Sequence, residues 1–250
     1  MRTRRIAILA LLAAAVWLGR AGAAAEDAPA PEAGETLLSA ADAEKVIAEM
    51  RAFKATGCIK ARIVTEVDDL LGVRKEEGEL LLDRPTRVLR KFTRPAAKFW
   101  LLDGSQLQEY APRKNVLYVK DFTLAPRKLK LIKAAFTGDM KTLQELFKVW
   151  VFRRPGGEKG PAAYRFVLTK GDDAASPLDY KRIQARLLEN ALFFHEFEFL
   201  PRDGDRTVER YSDIVAAAKP SEEEFAAAVA LPAGVKRETL AVDRDGESKK

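Results

Sequence analysis

The pattern of apolar and polar positions between residues 78 and 110 predicts four short antiparallel strands separated by turns. The pairs Arg84-Pro85 and Arg94-Pro95 interrupt the first two apolar runs, and Asp103-Gly104 closes the third. Proline has no amide hydrogen to donate to a strand ladder, and Asp-Gly is a strong hairpin signal. We therefore expect an antiparallel meander whose apolar runs lie at 80–82, 88–92, 99–102 and 106–110.

Alternation of apolar and polar residues predicts further strands on both sides of this meander. Ile183, Ala185 and Leu187 share one face of residues 181–188, as a half-buried strand requires. The strand expected at 193–200 is the most aromatic. The remaining strands are expected at 58–67, 116–119, 148–154, 164–170 and 207–214. The total is roughly ten strands, a number beyond which open sheets tend to curl.

Three segments change to helical spacing. The first spans residues 42–53, and the last is a short helix at 222–228. Between them, residues 126–147 interrupt the strands and carry two apolar stripes: Leu129, Ile132, Lys133 and Phe136 in one, and Leu143, Leu146 and Phe147 in the other. Because this segment separates two groups of strands, its position suits a lid over the sheet. Helices docked on an ordinary filled core are the alternative that the pattern leaves open.

The first residues predict export from the cytoplasm. A basic start with Arg2, Arg4 and Arg5 precedes an apolar run at 6–18 and three small residues at 23–25. This order is typical of a secretory signal peptide over residues 1–25, with an uncleaved membrane anchor as the less favoured alternative. We expect a disordered linker at 26–38, one domain at 39–235, and a charged flexible tail at 236–250.

The charge balance changes once the signal peptide is set aside. The full chain has 43 Lys and Arg residues against 37 Asp and Glu, a formal net charge of +6. Four of the arginines lie in the signal peptide, which has no acidic residue, so 39 basic and 37 acidic residues remain. This near balance gives no support for a nucleic-acid partner. Cys58 is the single cysteine, so an internal disulfide is excluded and a lipid anchor after the signal peptide is not expected.

The sequence contains no recognisable catalytic or metal-binding motif. His195 is the only histidine, and it lies in an expected strand, whereas the common zinc motif needs two histidines on a helix. Gly156-Gly157 does not lie between a strand and a helix, as a phosphate-binding loop would. We interpret His195 and Cys58 as packing residues. We therefore expect a protein that is not an enzyme and that needs no cofactor or metal.

Residues 78–112 resemble the periplasmic outer-membrane lipoprotein carrier (LolA) family. The shared pattern consists of Gly78, Leu80, Leu82, Arg84, Pro85, Phe92, Pro95, Leu101, Leu102, Asp103, Gly104, Leu107, Tyr110 and Pro112. Residues 211–213 and 225–235 extend the resemblance, which covers about residues 42–235. It implies a mainly β fold with α: an incomplete antiparallel β-barrel, or curled sheet, covered by a helical lid over a hydrophobic cavity.

The resemblance also implies a function in the periplasm. A carrier of this family binds the acyl chains of lipoproteins in its cavity and shuttles them from the inner to the outer membrane. The implied partners are acylated lipoproteins, an inner-membrane lipoprotein-releasing ABC transporter and an outer-membrane receptor, and we expect a monomer. A signal peptide without a lipid-attachment cysteine fits the carrier better than its anchored receptor relative. The alternatives are a periplasmic lipid or glycolipid shuttle and an envelope-stress sensing domain on the same fold.

The resemblance and the apolar pattern together indicate the candidate site residues. Arg84, the arginine of the Arg-Pro corner, is implied to hydrogen-bond the lid and to act as its latch; a solvated surface charge is the alternative. Val88 stands where the family has an aromatic residue in its cavity, and the valine side chain is smaller. The residues expected to line the cavity are Leu80, Leu82, Val88, Phe92, Phe99, Leu101, Ile132, Phe136, Phe147, Phe193 and Phe197.

The implied latch generates a prediction for Arg84→Leu. A guanidinium has five donors and can satisfy several backbone carbonyls at once, so its loss should free the lid. We expect faster release of bound acylated cargo and little change in the free energy of unfolding, measured by cargo release and by urea denaturation. A variant that is unfolded, or that takes up and releases cargo like the wild type, would contradict the latch.

Overall fold

The computed structural model describes most of the chain after the predicted signal peptide. The described residues are 28–54, 57–70, 72–83, 87–137, 139–145, 147–157, 160–170, 180–201, 205–242 and 248–249. The signal peptide at 1–25 therefore lies outside the described residues. Arg84 and its neighbours Pro85 and Thr86 also lie outside them, so the latch remains a prediction.

The described residues form one sheet of 14 strands together with four α-helices and a short 3-10 helix at Pro112–Lys114. The strands are β1 Thr36–Leu37, β2 Cys58–Asp69, β3 Gly72–Asp83, β4 Arg87–Arg94, β5 Lys98–Asp103, β6 Gln106–Ala111, β7 Val116–Asp121, β8 Phe147–Arg154, β9 Ala163–Lys170, β10 Tyr180–Leu188, β11 Glu196–Pro201, β12 Arg206–Ala217, β13 Lys236–Val242 and β14 Ser248–Lys249. The helices are α1 Ala40–Lys54, α2 Pro126–Thr137, α3 Met140–Gln144 and α4 Glu222–Ala228.

Two antiparallel meanders make up the sheet. Strands β2–β7 follow one another on one side, strands β8–β12 on the other, and β12 pairs with β2 to join them. The order ends at β1 and β14 and does not return on itself, so the sheet is curled but open. This agrees with the incomplete antiparallel barrel that the resemblance implies. The predicted meander at 78–110 is confirmed, with Gly104 at φ +56° in the β5–β6 turn.

Side chains alternate between two buried faces of the sheet. On β2, Ile59, Ala61 and Ile63 belong to the larger cluster, which we call the inner core, while Lys60 and Arg62 are exposed on the other side. Three helices contribute to the inner core: Val46 and Ile47 from α1, Leu131 and Ala134 from α2, and Met140 and Leu143 from α3. On the opposite face, the outer core consists of Leu89, Phe99, Leu101, Tyr110, Leu117, Val119 and Phe225, the last from α4.

The helical segment at 126–147 differs from its prediction in two ways. Its deepest residues are Leu131 and Ala134, at 0% and 2% exposure, whereas Leu129 and Ile132 of the predicted stripe are only partly buried. Leu131 and Ala134 recur at helical spacing just as Leu129 and Ile132 do, so spacing alone does not show which pair lies deeper. Docking on the sheet buries Leu131 and Ala134. The segment also ends earlier than expected, because Phe147 begins strand β8.

The N-terminal segment lies on the sheet, whereas its composition predicts a disordered linker at 26–38. Residues 36–37 pair with β8, and Ala28 packs against the outer side of β8 and β9. Glu35 accepts hydrogen bonds from Arg165 Nε and Nη2, at 2.9 and 2.5 Å from Oε2. Both side chains are at most 7% exposed. Composition alone does not predict the Glu35–Arg165 pair, because Arg165 is 130 residues away in the chain.

The C-terminal region is likewise more ordered than its composition predicts. Strand β13 pairs in parallel with β7 over residues predicted as a flexible tail. Before it, α4 is held on the outer face by Arg87, whose Nη1 and Nη2 donate to Glu222 at 2.8 and 2.9 Å. The Arg87 guanidinium also lies 4.3 Å from the ring centroid of Phe225. Arg165 stacks on Phe152 at the same distance, so one kind of arginine clamp fastens both terminal segments to the outer face.

Gly78 lies where the backbone of β4 leaves no room for a side chain on β3. A Cβ at this position would lie 2.1 Å from the carbonyl oxygen of Lys91, a backbone atom that cannot move alone. We expect Gly78→Ala to lower the free energy of unfolding by about 3 kcal/mol in urea denaturation. Gly157→Ala is the matched control, because nothing lies within 4 Å of its Cβ. Equal stability of the two variants would contradict the close approach.

Candidate functional site

The inner core gathers most of the side chains that were expected to line a cavity. The structure places Leu80, Leu82, Val88, Phe92, Phe147, Phe193 and Phe197 there, and none exceeds 5% exposure. They come from β3, β4, β8, β11 and the turn before β11, which the two meanders bring together. Helices α1, α2 and α3 contribute side chains to the same core. A movable lid over this core remains a prediction.

Two of the expected cavity residues lie on the wrong face. Phe99 and Leu101 belong to the outer core, packed with Tyr110 and under α4, while Leu102 belongs to the inner core. Four consecutive apolar residues at 99–102 give no indication of which alternate pair faces inward. The pairing of β5 with β4 sets the direction of each side chain and turns Phe99 and Leu101 toward the outer face.

The other expected site residues are Ile132, Phe136 and Arg84. Ile132 is partly buried and packs against both the inner core and a small cluster of Phe122 and Ala125 at the start of α2. Phe136 belongs to α2, but its side chain lies outside the described residues, as does Arg84.

Aromatic rings form one wall of the inner core. The Phe194 and Phe197 ring centroids are 4.8 Å apart, and the Phe193 ring meets Tyr211 edge-on at 5.2 Å. Phe199 stacks on Phe197 at 6.0 Å. These contacts bury a large apolar area and give the wall a defined shape.

A buried ionic group lies beside this wall. Arg90 donates from Nη1 and Nη2 to the two carboxylate oxygens of Glu209, at 2.5 and 2.9 Å. Nη2 also donates to the Tyr211 hydroxyl at 3.1 Å, and that hydroxyl donates to Glu209 at 2.6 Å. The Arg90 and Glu209 side chains are 6% and 7% exposed. Burial raises the pKa of Tyr211 well above its ordinary value, so the phenol keeps its proton for this hydrogen bond.

Sequence reasoning missed this group, although the sequence indicates that Arg90 faces inward. Val88 and Phe92 face inward at period two, so Arg90 between them must face inward as well. An arginine at an inward position of a central strand requires a buried acceptor. Nothing local identifies that acceptor, because Glu209 is 119 residues away in the chain.

The remaining candidates for chemistry are isolated. Burial lowers the pKa of His195, and its Nδ1 has no hydrogen-bond partner among the described residues. Cys58 is a buried free thiol whose pKa is raised by burial. Within the described ranges, no three His, Cys, Asp or Glu side chains are grouped to hold a metal ion. None of the described helices is both long enough and apolar enough to cross a membrane.

No protein-family model and no curated protein sequence matches this chain. Among solved structures, an uncharacterized conserved protein from Thermus thermophilus is similar, with 10% identity, a TM-score of 0.48, and coverage of 79% of this chain and 99% of that chain. A LolA superfamily protein from Nitrosomonas europaea is 12% identical with a TM-score of 0.37, covering 72% and 96%. An outer-membrane lipoprotein-sorting protein domain from Vibrio parahaemolyticus is 14% identical with a TM-score of 0.41, covering 73% and 97%.

The description of the second structure names the superfamily that the motif at 78–112 resembles.

The buried ionic group generates a stability prediction. Arg90→Met leaves Glu209 buried without its cation, which typically costs about 3–5 kcal/mol. The triple variant Arg90→Met, Glu209→Leu, Tyr211→Phe removes every member of the group and should recover most of that loss. Urea denaturation measures both.

An exposed ion pair provides the control for this prediction. Arg62 and Asp213 are 75% and 66% exposed, so Arg62→Ala should change the free energy of unfolding by less than about 1 kcal/mol. A triple variant no more stable than Arg90→Met would contradict the buried-charge explanation.

Proposed function

We propose that this protein is a periplasmic carrier that encloses the acyl chains of lipoproteins between its curled sheet and helices α1–α3. The observation that carries the proposal is a difference between the covers of the two faces. Arg87 and Arg165, at 9% and 5% exposure, fasten the terminal segments to the outer face; Glu35, the partner of Arg165, is 7% exposed, and Glu222, the partner of Arg87, is 82% exposed. The helices over the inner face contribute mainly apolar side chains to it.

Two polar links between the inner helices, among the described side chains, are exposed and therefore weak. Gln144 of α3 donates to Glu44 of α1 at 3.0 Å, and Lys130 of α2 pairs with Glu145 at 2.5 Å. Exposed pairs of this kind contribute about 0–1 kcal/mol. Helices held mostly by apolar contacts can be displaced by a guest that offers equivalent apolar surface, because burial is non-directional.

An acyl chain is such a guest. Leaving one in water costs about 0.8 kcal/mol per methylene group, so a lipid anchor does not cross an aqueous compartment unprotected. Displacing α2 and α3 together away from α1 would uncover Leu131, Ala134, Met140 and Leu143, and the acyl chain would then pack against the inner core in their place. The cost of displacing these helices offsets part of the binding free energy, which keeps the cargo releasable.

The wider role follows the family that the motif resembles. In this proposal the protein accepts cargo from a lipoprotein-releasing ABC transporter in the inner membrane and delivers it to a receptor in the outer membrane. The chain acts by binding, and no chemical step is assigned to its residues.

A reversible cross-link between α1 and α3 tests the proposal. In a Cys58→Ala background, Glu44→Cys and Gln144→Cys place two thiols where the wild-type side chains hydrogen-bond. Joining them with a reducible bismaleimide should prevent uptake of an apolar fluorescent probe and of a triacylated lipoprotein. Reduction of the linker should restore both, since the helices can then separate.

The matched control joins two strands of the sheet. Lys98→Cys and Glu76→Cys replace a pair whose Nζ and Oε1 atoms are 2.7 Å apart, and their cross-link should leave uptake unchanged. Failure of the uncross-linked protein to bind acylated cargo, or uptake unaffected by the α1–α3 link, would overturn the proposal. Mass spectrometry of co-purified ligands separates the alternatives, because free lipids or glycolipids in place of lipoproteins would indicate a lipid shuttle.

A further inference from the structure

A cavity of about 540 Å³ lies on the outer face of the sheet, beside α4. Its size is within the range of about 300–1,000 Å³ that is usual for small-molecule sites. Strands β2, β3 and β4 form its floor, and its walls are α4 and residues 218–220, which lead from β12 toward α4. The floor is the face of the sheet opposite to the inner core, so the cavity is a separate site.

The base of this cavity is apolar. Leu81 of β3 and Leu89 of β4 are cross-strand partners at its floor. Leu89 belongs to the outer core, and Leu81 and Ala228 of α4 pack against that core while remaining partly exposed. Burial of apolar surface is favourable, so a ligand with an apolar part gains free energy by placing it here.

Seven charged side chains border this base, and four of them are already engaged. Arg62 pairs with Asp213 at 3.2 Å. Glu224 accepts a hydrogen bond at 2.7 Å from the backbone amide of the residue that caps α4. The Lys219 Nζ lies 3.9 Å from a carboxylate oxygen of Asp83, just outside the cavity. The four carry two positive and two negative charges, so together they give the cavity no net charge.

The other three charged side chains of the cavity are Lys60, Glu79 and Lys91. All three are exposed, and among the described residues none of them has a hydrogen bond or an ion pair. Glu79 is directly opposite Lys91 in the pairing of β3 with β4. Lys60 is opposite Leu81 in the pairing of β2 with β3. Neighbouring strands are about 4.8 Å apart and alternate residues along a strand about 7 Å apart, so the three side chains can reach one ligand above Leu81.

Two unengaged cations and one unengaged anion complement a head group that carries both signs. A phosphate can accept hydrogen bonds from both lysines, and a primary ammonium can donate to a carboxylate. A head group with a phosphate alone would place its negative charge next to Glu79. A contact between Glu79 and Lys91 themselves would be an exposed pair, which contributes little and which a ligand can replace.

We propose that this outer cavity binds an ethanolamine phospholipid with a single acyl chain. The phosphate accepts hydrogen bonds from Lys60 and Lys91, and the ammonium donates to Glu79. The first methylene groups of the chain lie on Leu81 and Leu89. Because the cavity lies outside the inner core, this binding does not rest on the proposed carrier function.

Isothermal titration calorimetry of the protein without residues 1–25 tests the proposal, with the inner core closed by the cross-link between Glu44→Cys and Gln144→Cys. The probe is lauroyl lysophosphatidylethanolamine below its critical micelle concentration. We expect it to bind about two- to fivefold more tightly than lauroyl lysophosphatidylglycerol, which lacks the ammonium. Glycerophosphoethanolamine, the head group without the chain, should bind more weakly than the lysolipid.

Variants locate the ligand in the cavity. Glu79→Gln should weaken binding of the ethanolamine lysolipid about two- to fivefold. It should not weaken binding of the phosphatidylglycerol lysolipid, because it removes a negative charge next to the phosphate. Lys60→Gln with Lys91→Gln should weaken binding of both lysolipids about four- to 25-fold. The charge-matched control, Lys181→Gln with Lys236→Gln, replaces two exposed lysines on β10 and β13 and should change neither affinity.

Circular dichroism confirms that each variant is folded. Absence of lysophosphatidylethanolamine binding, equal or tighter binding of the phosphatidylglycerol lysolipid, or equal weakening by the control pair would overturn the proposal. So would a head group that binds as tightly as the whole lysolipid, because the apolar base would then contribute nothing. A lysolipid that binds the open protein but not the cross-linked protein would lie in the inner core, which would overturn this inference and leave the carrier proposal intact.

Discussion

The need to cover both faces of an open, curled sheet governs this structure. Alternating side chains give the sheet an inner and an outer apolar face, and neither can be left in water. The outer face is covered by terminal segments that are held by buried arginines, each stacked on a phenylalanine at 4.3 Å and paired with a glutamate. The inner face is covered by three helices that contribute apolar residues. One cover is thus fastened by directional contacts, and the other mainly by apolar contacts.

The two terminal segments also protect the ends of the sheet. Strand β1 pairs with two residues of β8, and β13 pairs with β7 over the whole length of β7. Free edges invite pairing with other chains. The residues just before α1 therefore cover a small part of one edge, and those after α4 cover the edge of β7.

The group formed by Arg90, Glu209 and Tyr211 is the polar exception within the inner core. It links β4 to β12 next to the aromatic wall, where an unpaired charge would be costly. Its requirement for a complete set of partners favours one relative placement of the two meanders. An inner core made only of apolar contacts would allow more ways to pack, so we interpret this group as a source of specificity in the curl of the sheet.

By itself, the sequence determined the strands of the 78–110 meander, the helix at 222–228 and the inward face of residues 181–188, because turn residues and side-chain spacing act locally. It also implied the curled sheet through the motif around Gly78. Only the tertiary structure decided that Phe99 and Leu101 face outward, that Leu131 and not Leu129 is the buried face of α2, and that Glu35 fastens the first residues to Arg165. Each of these depends on a partner far away in the chain, and the spacing of neighbouring residues carries no information about such partners.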